Sequence, residues 1–254
     1  GILDAVRCTP QIDYLYVSGN HDNQSQAFAD EDVPENFKRF TDKWKTFEYG
    51  DVAVSGIEIT KTNAVDLYQE LPIQKKRMNI VMLHGQTSTV CDIDQVNLNL
   101  LKGKNIQYLA LGHIHEHLCK QLDRDGIYCY PGCLEGRGFD ECGEKGFIVL
   151  DTGRRKLEPA FVPFASRKLQ RVTVDITGAA SNITVYQAMK KASQNIPKKD
   201  MVEFILTGAA NPTACIAEKY LRDYAKDDFF FVGIKDKTKL MIEPKEYEND
   251  ISLK

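Results

Sequence analysis

The chain has 254 residues, 43% hydrophobic and 27% charged, with a formal net charge of −3. That length allows a sizeable core and a division into one larger and one smaller domain, and the composition suits a soluble globular protein, neither disordered nor basic enough to coat nucleic acid indiscriminately. No apolar run approaches a bilayer span, no secretory leader is expected from the opening residues, and seven cysteines without a Cys-x-x-Cys pair fit neither a disulfide framework nor a structural zinc site.

In chain order, Ile2 to Cys8 reads as the end of a helix and Tyr14-Leu15-Tyr16-Val17 as a buried strand. The spacing of Phe37, Phe40 and Trp44 predicts a helix over Pro34 to Trp44, with Pro34 in its first turn. Val52 to Ile59 is expected to be a strand, and Ala64 to Leu71 a helix closed by Pro72. Ile80-Val81-Met82-Leu83 and Tyr108-Leu109-Ala110-Leu111 read as two further buried strands, with a short helical stretch around Val96 to Leu101 between them. Ile127 to Tyr130, Gly146 to Asp151 and Ala160 to Phe164 follow as extended segments around a Gly-rich loop. Beyond them, strands at Leu169 to Ile176, Met201 to Leu206 and Phe229 to Ile234 alternate with helices at Val185 to Ser193 and Ala214 to Tyr224, a small two-layer module. The stretch 164–254 is mildly basic and 1–163 acidic.

All five histidines fall in three short motifs, Gly19-Asn20-His21-Asp22, His84-Gly85-Gln86 and Gly112-His113-Ile114-His115-Glu116-His117, each ending a buried strand. Imidazole is the commonest transition-metal ligand and a proton carrier near neutral pH, and ligands of α/β sheets bind beyond the carboxyl ends of the strands. The pattern points to one composite site. Several residues keep two readings. His117 is a substrate or metal contact, or a solvated loop residue. Gln86 supports the site or merely makes the turn. Arg137 meets a phosphate, or forms a salt bridge with Asp140, Glu141 or Glu144. Lys190-Lys191 and Lys198-Lys199 read as solvated helix ends, Phe229-Phe230-Phe231 as strand core, and Cys129 as a buried free thiol. A reducing, cytoplasmic location follows from the cysteine usage.

The ordered motifs resemble the third to fifth motifs of the calcineurin-like metallophosphoesterases. With Tyr130-Pro131-Gly132 and the Gly136 to Glu141 loop they are most similar to the SbcD/Mre11 DNA-repair nucleases, the bacterial branch above all. The resemblance implies an α/β fold: a metallophosphoesterase-type αββα sandwich over 1–163, N-terminally incomplete, followed by a small α+β capping, DNA-binding domain over 164–254. It implies two divalent ions, Mn²⁺ favoured and Fe²⁺ or Zn²⁺ compatible, with Asn20, His84 and His113 on one and His115 on the other. His21 would act on the phosphate and its leaving oxygen, oriented by Asp22, while Arg137 and His117 are candidate substrate contacts. The family's Asp-x-His and Gly-Asp-x-x-Asp motifs are absent upstream of Gly19, so the chain is expected to lack most ligands of the second metal. The implied activity is that of a metal-dependent DNA exo/endonuclease subunit, with DNA, an SbcC/Rad50-like ATPase and a second copy of the chain as partners. The alternatives are a phosphodiesterase or phosphatase for small substrates and a non-catalytic DNA-clamping scaffold.

Overall fold

The structure, a computed structural model, describes residues 1–19, 33–153, 157–210 and 216–240. Two units are distinct: Gly1–Leu134 with Gly146–Pro163, and Glu135–Lys145 with Phe164–Lys254. In the first, the chain runs α1 (Ile2–Arg7), β1 (Tyr14–Tyr16), β2 (Phe37–Arg39), β3 (Lys45–Tyr49), β4 (Val52–Gly56), β5 (Met78–His84), β6 (Gln86–Ser88), β7 (Gln95–Asn97), β8 (Tyr108–Gly112), β9 (Leu118–Gln121), β10 (Ile127–Tyr130), β11 (Gly146–Val149) and β12 (Ala160–Pro163).

Among the described residues, a six-stranded mixed sheet in the order β3-β4-β5-β8-β10-β9 organises this unit. β4, β5, β8 and β10 are parallel to one another, and antiparallel β3 and β9 close the edges. The apolar runs explain the arrangement, because parallel strands must be covered on both faces. On β5 and β8, Val81, Leu83, Leu109 and Leu111 are buried and pack with Leu67, Tyr68, Leu101, Ile106 and Tyr130 in the core. A polar residue enters this core only with its bonds made. Asn79 is 1% exposed, and its amide receives the Gln74 N–H at 2.9 Å and donates to the Gln74 and Arg77 carbonyls at 3.0 and 3.1 Å.

Tertiary pairing overrides several sequence expectations. Pro34 to Trp44 holds β2 and no helix: Phe37 pairs with Tyr14 in the parallel β1–β2 ribbon and stacks on Tyr16 with ring centroids 5.5 Å apart. The Asn36 amide ties the same segment to the carbonyls of Val6, Thr9 and Ile12 at 3.0, 3.1 and 2.9 Å. Ala64 to Leu71 contributes a 3-10 turn at Asp66–Tyr68, and Val96 to Leu101 splits into β7 and a 3-10 turn at Leu98–Leu100. Cys129 is buried but is no free thiol; it forms a disulfide with Cys119, the residue opposite it across β9 and β10.

The second unit contains β13 (Leu169–Asp175), α2 (Asn182–Ala192), β14 (Met201–Thr207), β15 (Ala209–Ala210), α3 (Glu218–Ala225), β16 (Phe231–Asp236) and β17 (Lys239–Leu240). β13, β14 and β16 form a parallel sheet with β14 central. Val185 and Met189 of α2 and Leu221 and Ala225 of α3 pack into a core with Val202, Phe204 and Leu206. Ser181 caps α2 by accepting the Thr184 N–H at 3.3 Å. Glu135–Lys145 belongs here because Gly143 N–H donates to the Leu169 carbonyl at 3.0 Å and Lys168 pairs with Glu144. The phenylalanine triplet is not all core: Phe229 packs inward, whereas Phe230 and Phe231 are 60% and 52% exposed. No helix among the described residues is long and apolar enough to cross a membrane.

Candidate metal centre

The strand register brings two sequence-predicted histidines together. β5 ends at His84, which lies opposite Gly112, the last residue of β8, and His113 follows directly. The His84 ring occupies room that two glycines leave open: a Cβ on Gly112 would stand 2.8 Å from Nδ1, and one on Gly19 2.8 Å from Cε1. His113 turns into its position with φ +102°, and the two imidazoles meet edge to face with centroids 5.3 Å apart and planes at 89°.

A third group joins them. Asp94, in the loop between β6 and β7, places a carboxylate oxygen so that it and one ring nitrogen of each histidine lie within 4.8 Å of one another. All three residues are half-buried. The turn after His84 makes this approach possible. Gly85 N–H donates to the Gly112 carbonyl at 3.2 Å and Gln86 N–H to the Asp94 carbonyl at 2.8 Å, and a Cβ on Gly85 would come within 2.9 Å of that carbonyl. The buried Tyr130 hydroxyl donates to the Gly85 carbonyl at 2.8 Å and pins the turn from β10. Burial raises the Tyr130 pKa, opposed by hydrogen bonding with Thr87. Beside the first motif, Glu58 accepts the Ser18 N–H at 3.4 Å.

Two imidazoles and a carboxylate are a donor set for borderline divalent ions such as Zn²⁺, Mn²⁺ or Fe²⁺, so the residues present fit a transition metal. Among the other candidates, Asn20, His21 and Asp22 lie outside the described residues. His115 is exposed and stands outside the His84–Asp94–His113 group, its carbonyl accepting the Cys133 thiol at 3.7 Å. His117 is exposed and stacks on Phe161 at 4.3 Å with an interplanar angle of 26°. Arg137, in the second unit, is exposed; its backbone N–H, not its guanidinium, meets Glu141, at 2.8 Å. A cavity of about 430 Å³ reaches His84, but its walls are Leu15, Tyr16, Met82, Leu111, Phe147 and other apolar residues, which offer an anion no counter-charge. Sequence reasoning missed Asp94 and Glu58, since neither stands in a motif and each is delivered by tertiary pairing; Tyr130 stands in the Tyr130-Pro131-Gly132 stretch, but the sequence assigned it no role.

Fold and site together define an α/β protein with a candidate metal centre on its strand-end loops. Over 214 residues the chain is 24% identical to an uncharacterized metallophosphoesterase, YhaO, of Bacillus subtilis (strain 168). The match covers 78% of this chain and 52% of the relative, so the chain spans about half the length of the curated relative it matches. No family model matches the chain.

Proposed function

We propose that the protein is a metal-dependent phosphoester hydrolase and that its substrates are DNA phosphodiesters. The observation that carries the first part is the convergence of His84 and His113 at the adjacent ends of β5 and β8 with Asp94 of the β6–β7 loop, and the similarity to a metallophosphoesterase supports it. When bound, a divalent ion supplies Lewis acidity toward a phosphoryl oxygen. His84 and His113 would hold it, the glycines beneath His84 keeping that ring in place. By the motif resemblance Asn20 would lend that ion a further ligand, His115 would serve a second ion, and His21 would give a proton to the leaving oxygen with Asp22 fixing its ring.

The DNA reading draws on the resemblance to SbcD/Mre11-type nucleases and on the second unit. There the Arg167 guanidinium lies 3.7 Å from the centroid of the exposed Phe230 ring, a pairing of cation and aromatic face of the kind that stacks on bases. The same reading gives the protein an SbcC/Rad50-like ATPase and a second copy of itself as partners.

With Mn²⁺ the protein should hydrolyse both bis(p-nitrophenyl) phosphate and duplex DNA, and EDTA should abolish both activities. Hydrolysis of the small ester without any cleavage of DNA would move the substrate class to small phosphodiesters. Turnover that survives exhaustive chelation would remove the metal from the reading altogether.

A further inference from the structure

We propose that Asp94 is a direct ligand of the metal held by His84 and His113, completing a three-donor, His₂-carboxylate site with open coordination positions. This deepens the function proposed above and rests on it. The observations are those of the loop itself. Asp94 is fixed from both sides: its carbonyl accepts the Gln86 N–H at 2.8 Å, and the parallel β6–β7 pairing starts at the next residue, Gln95 opposite Gln86. Its φ is +57°, a left-handed conformation that disfavours most side chains and that Asp and Asn tolerate best. Among the described residues, three non-glycines have positive φ, and two of them, Asp94 and His113, belong to this group. Backbone strain concentrated on two donors of one cluster is what a functional constraint produces.

The carboxylate also lacks any other employment. It is half-buried, and among the described residues no hydrogen bond or cation reaches its oxygens. A partly desolvated negative charge without a donor is unfavourable unless a cation supplies the compensation. Two imidazole nitrogens within 4.8 Å are the donors such a cation would share. Metal–ligand bonds of 2.0–2.2 Å in tetrahedral geometry put donor atoms about 3.4 Å apart, so side-chain rotations of about an ångström at the ligand atoms close the set around one ion. A fourth position then remains for water or substrate.

Titration of the metal-free protein with Zn²⁺ or Co²⁺ tests this without reference to activity. Asp94→Asn keeps the shape and the tolerance of positive φ while removing the anionic donor; it should weaken affinity about tenfold or more with an unchanged circular dichroism spectrum. Asp94→Cys loaded with Co²⁺ should show a thiolate-to-cobalt charge-transfer band in the near ultraviolet, which a residue that merely positions its neighbours cannot produce. His84→Ala is the control. If Asp94→Asn binds like the parent while His84→Ala does not, Asp94 is no ligand and the inference falls while the metal centre stands. If neither variant changes binding, both the inference and the proposed metal function fall.

Discussion

At the scale of single residues, the centre depends on groups that carry no chemistry themselves. Tyr130 shows this most directly. Its hydroxyl is the donor for the buried Gly85 carbonyl, and the Gly85 turn in turn seats both His84 and the Asp94 backbone. Removing that hydroxyl leaves a buried acceptor unpaired, a loss of about 1–3 kcal/mol. Tyr130→Phe is therefore expected to lower the unfolding free energy by about that amount in urea titrations and to weaken Zn²⁺ binding. An unchanged midpoint together with parental metal affinity would show that the turn holds itself. The glycines at 19 and 112 act in the opposite sense, by the atoms they lack, since either Cβ would displace the His84 ring.

At the scale of elements, the β9–β10 hairpin carries its own electrostatic lock. Burial, the largest influence on Asp123, pushes its pKa up, but the N–H groups of Gly103, Asp125 and Gly126 at 2.7, 3.0 and 2.9 Å together hold it below the ordinary value. A carboxyl whose folded pKa is depressed adds stability above its unfolded pKa of about 3.9, and that stability is lost as pH falls through the folded pKa. Asp123→Asn should thus be less stable than the parent at neutral pH, with the gap closing in acid; urea midpoints that differ equally at about pH 7 and about pH 3 would refute a charge origin. Which elements could be read in advance follows from how they are held. β5, β8 and β10 each carry an uninterrupted apolar run with one face fully buried and the other at least half-buried, and such a run is enough to specify a strand. The Phe37, Phe40, Trp44 spacing fits a helix as well as a short strand, and only the partner β1 decides. Of the Phe229 triplet only Phe231 lies in β16, where it alternates with the buried Val232 and Ile234 and so faces outward, while Phe229 and Phe230 precede the strand. Asp94 has no signature in the sequence, as its approach to His84 is a product of the Gly85 turn and the β6–β7 pairing. His84 and His113 were legible because strand ends in parallel sheets converge.

At the scale of the whole molecule, the two cores share no residue: one centres on Val81, Leu109 and Tyr130, the other on Val202, Phe204 and Leu221. Calorimetry should accordingly resolve two unfolding transitions. Zn²⁺ should raise only one of them, by about 2.7 kcal/mol at a hundredfold excess over Kd, because a ligand stabilises the unit that binds it. A single transition whose calorimetric and van't Hoff enthalpies agree would show that the units unfold as one.

The path of the backbone adds a consequence for heredity. The chain leaves the first unit at Glu135, returns at Gly146 and departs again at Phe164. A gene rearrangement that exchanged everything after Pro163 would leave Glu135–Lys145 behind, with the Gly143 N–H deprived of Leu169 and Glu144 deprived of Lys168. Transfer of the intact second unit between lineages thus requires the short insert and the long tail to travel together. Single-crossover chimeras sort by whether the newcomer's sequence suits the loop that stays.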